Sequence, residues 1–79
     1  MNPRVTKVGV MDNYLLSLEF ENGQKGVFSM QPYLKYPVFE PLKDKAFFKK
    51  ARVTMGFVSW DEEIDMSPDT LYIDCKIII

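Results

Sequence analysis

Residues 14–23 read YLLSLEFENG, an alternating run that ends in the dipeptide Asn22-Gly23. The alternation places Ser17 and Glu19 on one face and apolar side chains on the other, which is typical of a half-buried strand. The apolar set is Tyr14, Leu16, Leu18 and Phe20. Asn-Gly between two strand-like runs is a strong hairpin signal, because a type I′ turn needs positive φ at both central residues. The stretch therefore predicts a β-hairpin with a type I′ turn.

The segments on either side of this run extend the sheet. Residues 24–30 supply the partner strand, with Val27, Phe28 and Met30 as its packing residues. Residues 4–11 are rich in valine and predict another strand, joined through Asp12-Asn13, since both side chains tolerate left-handed backbone. We therefore expect residues 4–30 to form a three-stranded antiparallel meander.

Past Met30 the two-residue period is lost and helix signals appear. Pro32 suits the first position of a single helical turn over residues 31–36, and Pro37 prevents a longer helix. Asp44 predicts the N-cap of a helix over residues 45–51.

The last third of the chain combines short strands with a second helix start. Residues 52–55 and 57–60 predict two strands hinged near Gly56, and Ser67-Pro68 predicts a capped helix. Residues 77–79, all isoleucine, allow a final strand, a core plug or an exposed apolar surface.

Composition fixes the class of protein. The 79 residues are 47% apolar and 27% charged with a net charge of −1, which suits one small domain spanning residues 1–79. We predict an α+β fold, with an antiparallel sheet of four to five strands and two or three short helices. The chain has one cysteine and no run long enough to span a membrane, so we expect a cytoplasmic protein without a membrane partner. Because there is no histidine, Ser-His-Asp and Cys-His catalysis are excluded.

Three segments resemble a known family. They are residues 14–23, residues 38–44 (VFEPLKD) and residues 58–72, where VSW is followed by IDMSPDTLY. Together they resemble the small bacterial family called domain of unknown function 2442 (DUF2442). The resemblance implies an α+β domain with an antiparallel sheet and short helices. It also implies a second small protein encoded nearby, in arrangements resembling toxin–antitoxin pairs, and it carries over no catalytic residues.

Acidic residues cluster late in the chain. Residues 61–74 hold six of the eleven acids and no base. Clustered carboxylates can hold a divalent cation or act as general acid and base, but the spacing does not match a calcium loop. We expect a solvated turn, with no metal and no cofactor. Asp65, between Ile64 and Met66, is expected to point inward and accept hydrogen bonds from the turn at Ser67.

Basic residues cluster earlier, in residues 43–52, which hold five of the ten bases. Such a surface can be merely solvated, can bind an acidic protein, or can neutralise phosphates. The net charge of −1 and the pI of about 5.3 make nucleic acid the weaker reading.

The eleven aromatic residues suggest both a core and an interface. Trp60 is expected to be buried, and the lone Cys75 to behave as a buried small apolar residue. Aromatic side chains exposed in a loop are typical of interfaces. The candidate interaction surface is Tyr36, Phe39, Lys45, Lys49, Lys50 and Arg52. We predict a non-enzymatic protein-interaction or regulatory module; the alternative is a nucleic-acid-associated module using residues 43–52.

Three features predict self-association as a homodimer. Bases and acids are segregated into residues 43–52 and 61–74, and a two-fold axis can place one on the other. The chain ends in three isoleucines, and the strand over residues 4–11 has few charges to protect a sheet edge.

Overall fold

The computed structural model describes residues 2–78, which form seven strands and several short helices. The strands are β1 (Val5–Met11), β2 (Leu15–Phe20), β3 (Lys25–Ser29), β4 (Arg52–Thr54), β5 (Phe57–Ser59), β6 (Asp65–Met66) and β7 (Lys76–Ile77). The α-helices are α1 (Lys45–Phe48) and α2 (Pro68–Asp74), and 3₁₀ helices cover Asp12–Tyr14, Gln31–Tyr33 and Pro37–Lys43. The α+β prediction is confirmed.

The first sheet has the strand order β1-β2-β3-β7 and is antiparallel throughout. Its register places Leu16 opposite Phe28 on one side and Val10 on the other. Leu16, Leu18, Phe20 and Phe28 are buried, so the alternation read from the sequence correctly gives the inward face. The predicted meander over residues 4–30 is present.

Tyr14 departs from its predicted place in the strand. It closes the 3₁₀ turn Asp12–Tyr14 with a φ of 60°, and Asn13 before it has a φ of 61°. The Tyr14 hydroxyl donates to the Lys43 carbonyl oxygen, and its ring packs edge-on against Phe48 with centroids 5.2 Å apart. These contacts hold the side chain in a backbone conformation that is costly for a bulky residue.

The type I′ turn is at a different place from the one predicted. Gly23 has a φ of 87°, but Asn22 is not left-handed, and the Gly23 N–H bonds the Phe20 carbonyl at 2.9 Å. This pattern fits a three-residue hairpin loop, in which a type I turn is followed by a glycine in the left-handed conformation. The two-residue turn joining β4 and β5 instead has positive φ at both Met55 and Gly56, as a type I′ turn requires.

Strands β4, β5 and β6 form a separate three-stranded antiparallel sheet. Of the strands after residue 51, only β7 extends the first sheet among the described residues. The two sheets meet where the Val5 N–H donates to the Gly56 carbonyl at 3.1 Å. Val58 and Met66 of the second sheet are buried in the same core as the first sheet.

The predicted helix caps are confirmed, although the helices differ in length. Asp44 accepts a hydrogen bond from the Ala46 N–H at 2.9 Å, but α1 ends at Phe48 and not at residue 51. Ser67 caps α2 by accepting from the Thr70 N–H at 3.3 Å. The segment that begins at Pro37 forms the 3₁₀ helix Pro37–Lys43, in which Leu42 is buried.

Trp60 and the final strand complete the structure. Trp60 is 1% exposed, as predicted, and its indole N–H donates to the Phe48 carbonyl at 3.0 Å. Of the three isoleucines, Ile77 pairs with Gly26 in β7, and the Ile78 N–H bonds the Lys25 carbonyl at 2.8 Å. Ile79 lies outside the described residues.

Candidate interaction surfaces

A shallow depression of about 390 Å³ is formed by the turns after β3 and the end of α2. The chain turns here through the 3₁₀ helix Gln31–Tyr33, which has Pro32 in its first turn. We call this depression the tyrosine surface; it is lined by Ser29, Pro32, Tyr33, Lys35, Tyr36 and Asp74.

Tyr33 is fixed by contacts on several sides. Its hydroxyl donates to the Asp74 carboxylate, and its ring lies 5.4 Å from that of Phe28 in the core. The hydrogen bond to Asp74, followed by burial and the charge of that carboxylate, raises the pKa of Tyr33 to about 12. Tyr33 is therefore a protonated, positioned ring over the physiological range.

Two apolar side chains in the segment that follows Tyr33 reach solvent. Tyr36 is 47% exposed and Val38 is 53% exposed, whereas Phe39 is half-buried and packs against the core. The rings of Tyr36 and Phe39 lie 6.2 Å and 6.3 Å from that of Tyr33. Tyr36 thus lines the tyrosine surface and is exposed, while Phe39 packs against Tyr33 and is half-buried.

The lysines of α1 line a second depression, of about 270 Å³. Lys45 begins α1 and Lys49 is its C-cap, one turn later, and both line the depression together with the turn Asp12–Tyr14. We call this the lysine surface; its other lining residues are Val10, Met11, Asp12, Asn13, Tyr14 and Phe48. The six predicted site residues are therefore divided: Tyr36 belongs to the tyrosine surface, and Lys45 and Lys49 to the lysine surface.

Lys50 and Arg52 belong to neither depression. The Lys50 ammonium lies 5.5 Å from the centroid of the Phe47 ring, a cation–π distance. The Arg52 guanidinium donates to the Trp60 carbonyl at 3.4 Å. Both charges therefore contact neighbours in their own segment of the fold.

The acidic turn is organised by a different carboxylate from the one expected. Asp65 is exposed on β6 and does not point inward. Asp61 instead accepts from the backbone N–H groups of Glu63 and Ile64, both at 2.8 Å. Within residues 2–78, no group of three or more Cys, Asp or Glu side chains could hold a metal ion.

Charge pairing is sparse. Over the described part of the chain, the one ion pair within 4.0 Å joins Lys25 and Glu19, which lie opposite each other in β2 and β3. Among residues 2–78, the charges of residues 43–52 and 61–65 therefore have no oppositely charged side chain within that distance.

Cys75 follows α2 and is half-buried. Its thiol donates to the Tyr72 carbonyl at 3.4 Å. Burial raises the pKa of the Cys75 thiol above its ordinary value, so the thiolate is disfavoured and a nucleophilic role is unsupported.

Sequence reasoning missed Tyr33 and Asp74 as site residues. Tyr33 had a usable signal, because residues three apart on a 3₁₀ turn lie on the same side, as Tyr33 and Tyr36 do here. Asp74 had no such signal in the sequence, because its partner Tyr33 lies 41 positions earlier in the chain.

Comparison with known proteins identifies the family. A family model described as "Protein of unknown function (DUF2442)" matches residues 5–76, which confirms the resemblance of the sequence segments. No curated protein and no solved structure matches the chain. None of the helices in residues 2–78 has the length and apolar character needed to cross a membrane.

Proposed function

The chain belongs to the DUF2442 family, and from that premise we propose that it is a non-enzymatic protein-interaction module that binds a second protein through its tyrosine surface. The observation that carries the proposal is the exposure of Tyr36 beside the fixed ring of Tyr33, with Val38 exposed two residues further along the chain. Tyrosine is enriched at interfaces because it combines a large apolar ring with a hydrogen-bonding hydroxyl.

The tyrosine surface is also prepared for binding. Tyr33 is held by Asp74 and Phe28, and the Lys35 ammonium lies 5.5 Å from the Tyr36 ring centroid. Side chains already ordered in the unbound protein lose less entropy on association. A partner that presents an apolar side chain flanked by hydrogen-bond acceptors fits these groups.

A regulatory role in the cytoplasm accords with the chemistry of the chain. With no histidine and a half-buried thiol whose pKa is raised, the usual nucleophile and base pairs are missing. The partner we propose is a second small protein encoded beside this one, as in toxin–antitoxin-like pairs.

The test is co-expression with the product of each neighbouring gene, followed by calorimetry on the purified complex. Tyr36→Ala and Val38→Ser are each expected to weaken binding at least tenfold without lowering the melting temperature. Ile78→Ser is the matched control, because Ile78 is an exposed apolar residue directly after β7, and it should bind normally. Equal binding by all three variants, or no complex with either neighbour, would overturn the proposal.

The nucleic-acid alternative rests on the lysine surface. Lys45 and Lys49 line it with Asn13, which suits contacts to phosphate oxygens. Asp12 lines the same depression and opposes an anion there. Steep salt-dependent retention on heparin, lost in Lys45→Glu, would favour this alternative over the protein partner.

A further inference from the structure

The outward face of the second sheet carries a basic residue at one edge and an acidic residue at the other, so that two copies of this face can be complementary in charge. Arg52 lies opposite Ser59, and Ser59 lies opposite Asp65, so these three residues form one row across β4, β5 and β6. Directly opposed residues in an antiparallel sheet point to the same face. The row therefore has a positive end, a small neutral centre and a negative end.

A second row on the same face contains Thr54 and Phe57. Phe57 is on the central strand β5 and is 38% exposed, while Arg52, Thr54 and Asp65 are also exposed. Ser59 is buried at the centre, within 2.9 Å of the Thr54 hydroxyl. We call these five residues the outer face of the second sheet. The opposite face carries Val58 and Met66, which are buried in the core.

We propose that a second copy of the chain docks on this outer face about a two-fold axis parallel to β5. Rotation about this axis leaves the position of each residue along the strand unchanged and exchanges the β4 side of the sheet with the β6 side. Arg52 then faces the partner's Asp65, Asp65 faces the partner's Arg52, and Phe57 meets the partner's Phe57. The pairing is reciprocal, as an isologous interface requires.

Charge complementarity selects the second copy as the occupant. Neither Arg52 nor Asp65 has an oppositely charged side chain within 4.0 Å among the described residues, so dimerisation supplies a counter-charge to each. Neighbouring strands are about 4.8 Å apart and facing sheets about 10 Å apart, distances that arginine and phenylalanine side chains can span. An axis perpendicular to the strands would instead place the Arg52–Ser59–Asp65 row over the Phe57 row and leave the charges unpaired.

The size of the face sets the strength of the dimer. Five side chains cover less than the roughly 800 Å² per partner of a standard interface. We therefore expect a dimer that dissociates on dilution, with association weakened by salt because its charge pairs lie at the rim. This interface does not use the tyrosine surface, so its failure would leave the proposed function intact.

Analytical ultracentrifugation from micromolar to millimolar protein tests the proposal. The expected mass approaches twice the chain mass of 9.2 kDa at high concentration and low salt. Phe57→Asp, Arg52→Glu and Asp65→Arg are each expected to raise the dimer dissociation constant at least tenfold. An equimolar mixture of the Arg52→Glu and Asp65→Arg chains should restore dimers, because each chain then carries one sign of charge.

Lys7→Glu on β1 and Ile73→Asp on α2 are the matched controls, since both residues are exposed and lie off this face. Should Phe57→Asp fail to fold, Thr54→Asp on the same row makes the same test. A monomer at every concentration in low salt overturns the proposal. So does a dimer that the controls weaken as much as the face variants do, or one that the mixture fails to restore.

Discussion

The Trp60 indole N–H donates to the Phe48 carbonyl oxygen at 3.0 Å, which joins the second sheet to the end of α1. The two rings also stack with centroids 6.1 Å apart. The same tryptophan is bonded through its backbone N–H to the Ile64 carbonyl and through its carbonyl to Arg52. One side chain and its backbone therefore connect the basic segment, the acidic turn and the core.

Replacing Trp60 by phenylalanine removes the indole hydrogen bond and part of the buried volume. The Phe48 carbonyl oxygen still accepts a longer hydrogen bond from the Ala51 N–H at 3.3 Å, so it does not lose all its partners. We therefore expect a loss of about 2 kcal/mol in the free energy of unfolding. Urea denaturation followed by circular dichroism measures it. Phe57→Leu, on an exposed aromatic, should cost far less, and equal losses would contradict the assignment.

Met55 is the residue whose replacement should stabilise the protein. It is 83% exposed and has a φ of 53°, a conformation that costs an ordinary side chain about 1–2 kcal/mol. Met55→Asn suits the type I′ turn and is expected to add about 1 kcal/mol, or about 4–8 °C in melting temperature. Met55→Leu is the control and should leave the stability unchanged. If Met55→Asn is no more stable than Met55→Leu, the backbone at Met55 is not strained.

Alkaline pH should destabilise the fold through Tyr33. Its pKa is raised from 10.0 to about 12 in the folded protein, so the unfolded chain loses the phenolic proton first. The stabilisation is complete below pH 10 and disappears as the pH rises to about 12.

Ultraviolet titration of the tyrosines gives a direct measurement of this shift. One group should titrate near pH 12, and Tyr33→Phe should remove it. Asp74→Asn should lower the pKa of Tyr33, because the bond to that carboxylate is the main cause of the shift. A group near pH 12 that persists in Tyr33→Phe, or that is not shifted in Asp74→Asn, would contradict the hydrogen bond.

Gly26 is expected to be essential for the pairing of β7 with β3. A Cβ there would lie 3.0 Å from both the Cys75 Sγ and the Lys76 carbonyl oxygen. Gly26→Ala should therefore displace β7, cost about 1–3 kcal/mol and raise the reactivity of the Cys75 thiol. At Gly9 a Cβ would meet only the Ser17 side chain, which can rotate away, so Gly9→Ala is the milder control.

Periodicity and capping predicted the regular elements because both are local. The inward face of β2 follows from alternation, and the caps at Asp44 and Ser67 follow from side chains that bond their own segment. The type I′ turn was predicted at Asn22-Gly23 from residue preference, yet it occurs at Met55-Gly56. There the Gly56 carbonyl is bonded to Val5, a tertiary contact that residue preference does not include.

Long-range contacts also explain why the site was predicted only in part. Tyr36 is exposed as expected, but the fixed ring beside it depends on Asp74 from the other end of the chain. Asp65 was expected to point inward because its neighbours are apolar. In β6 alternate residues face opposite sides, so burial of Ile64 and Met66 forces Asp65 outward.

The pairing of β7 with β3 sets the order in which this chain folds. Gly26 opposite Ile77 closes a loop of about fifty residues, whereas β1, β2 and β3 are joined by turns of a few residues. Short-range contacts form early and distant ones late, so the meander is expected to assemble before the last strand attaches. The amide of Ile78, bonded to the Lys25 carbonyl, should then exchange with deuterium sooner than the amides of β2. We therefore expect β7 to detach from β3 without unfolding of the other strands.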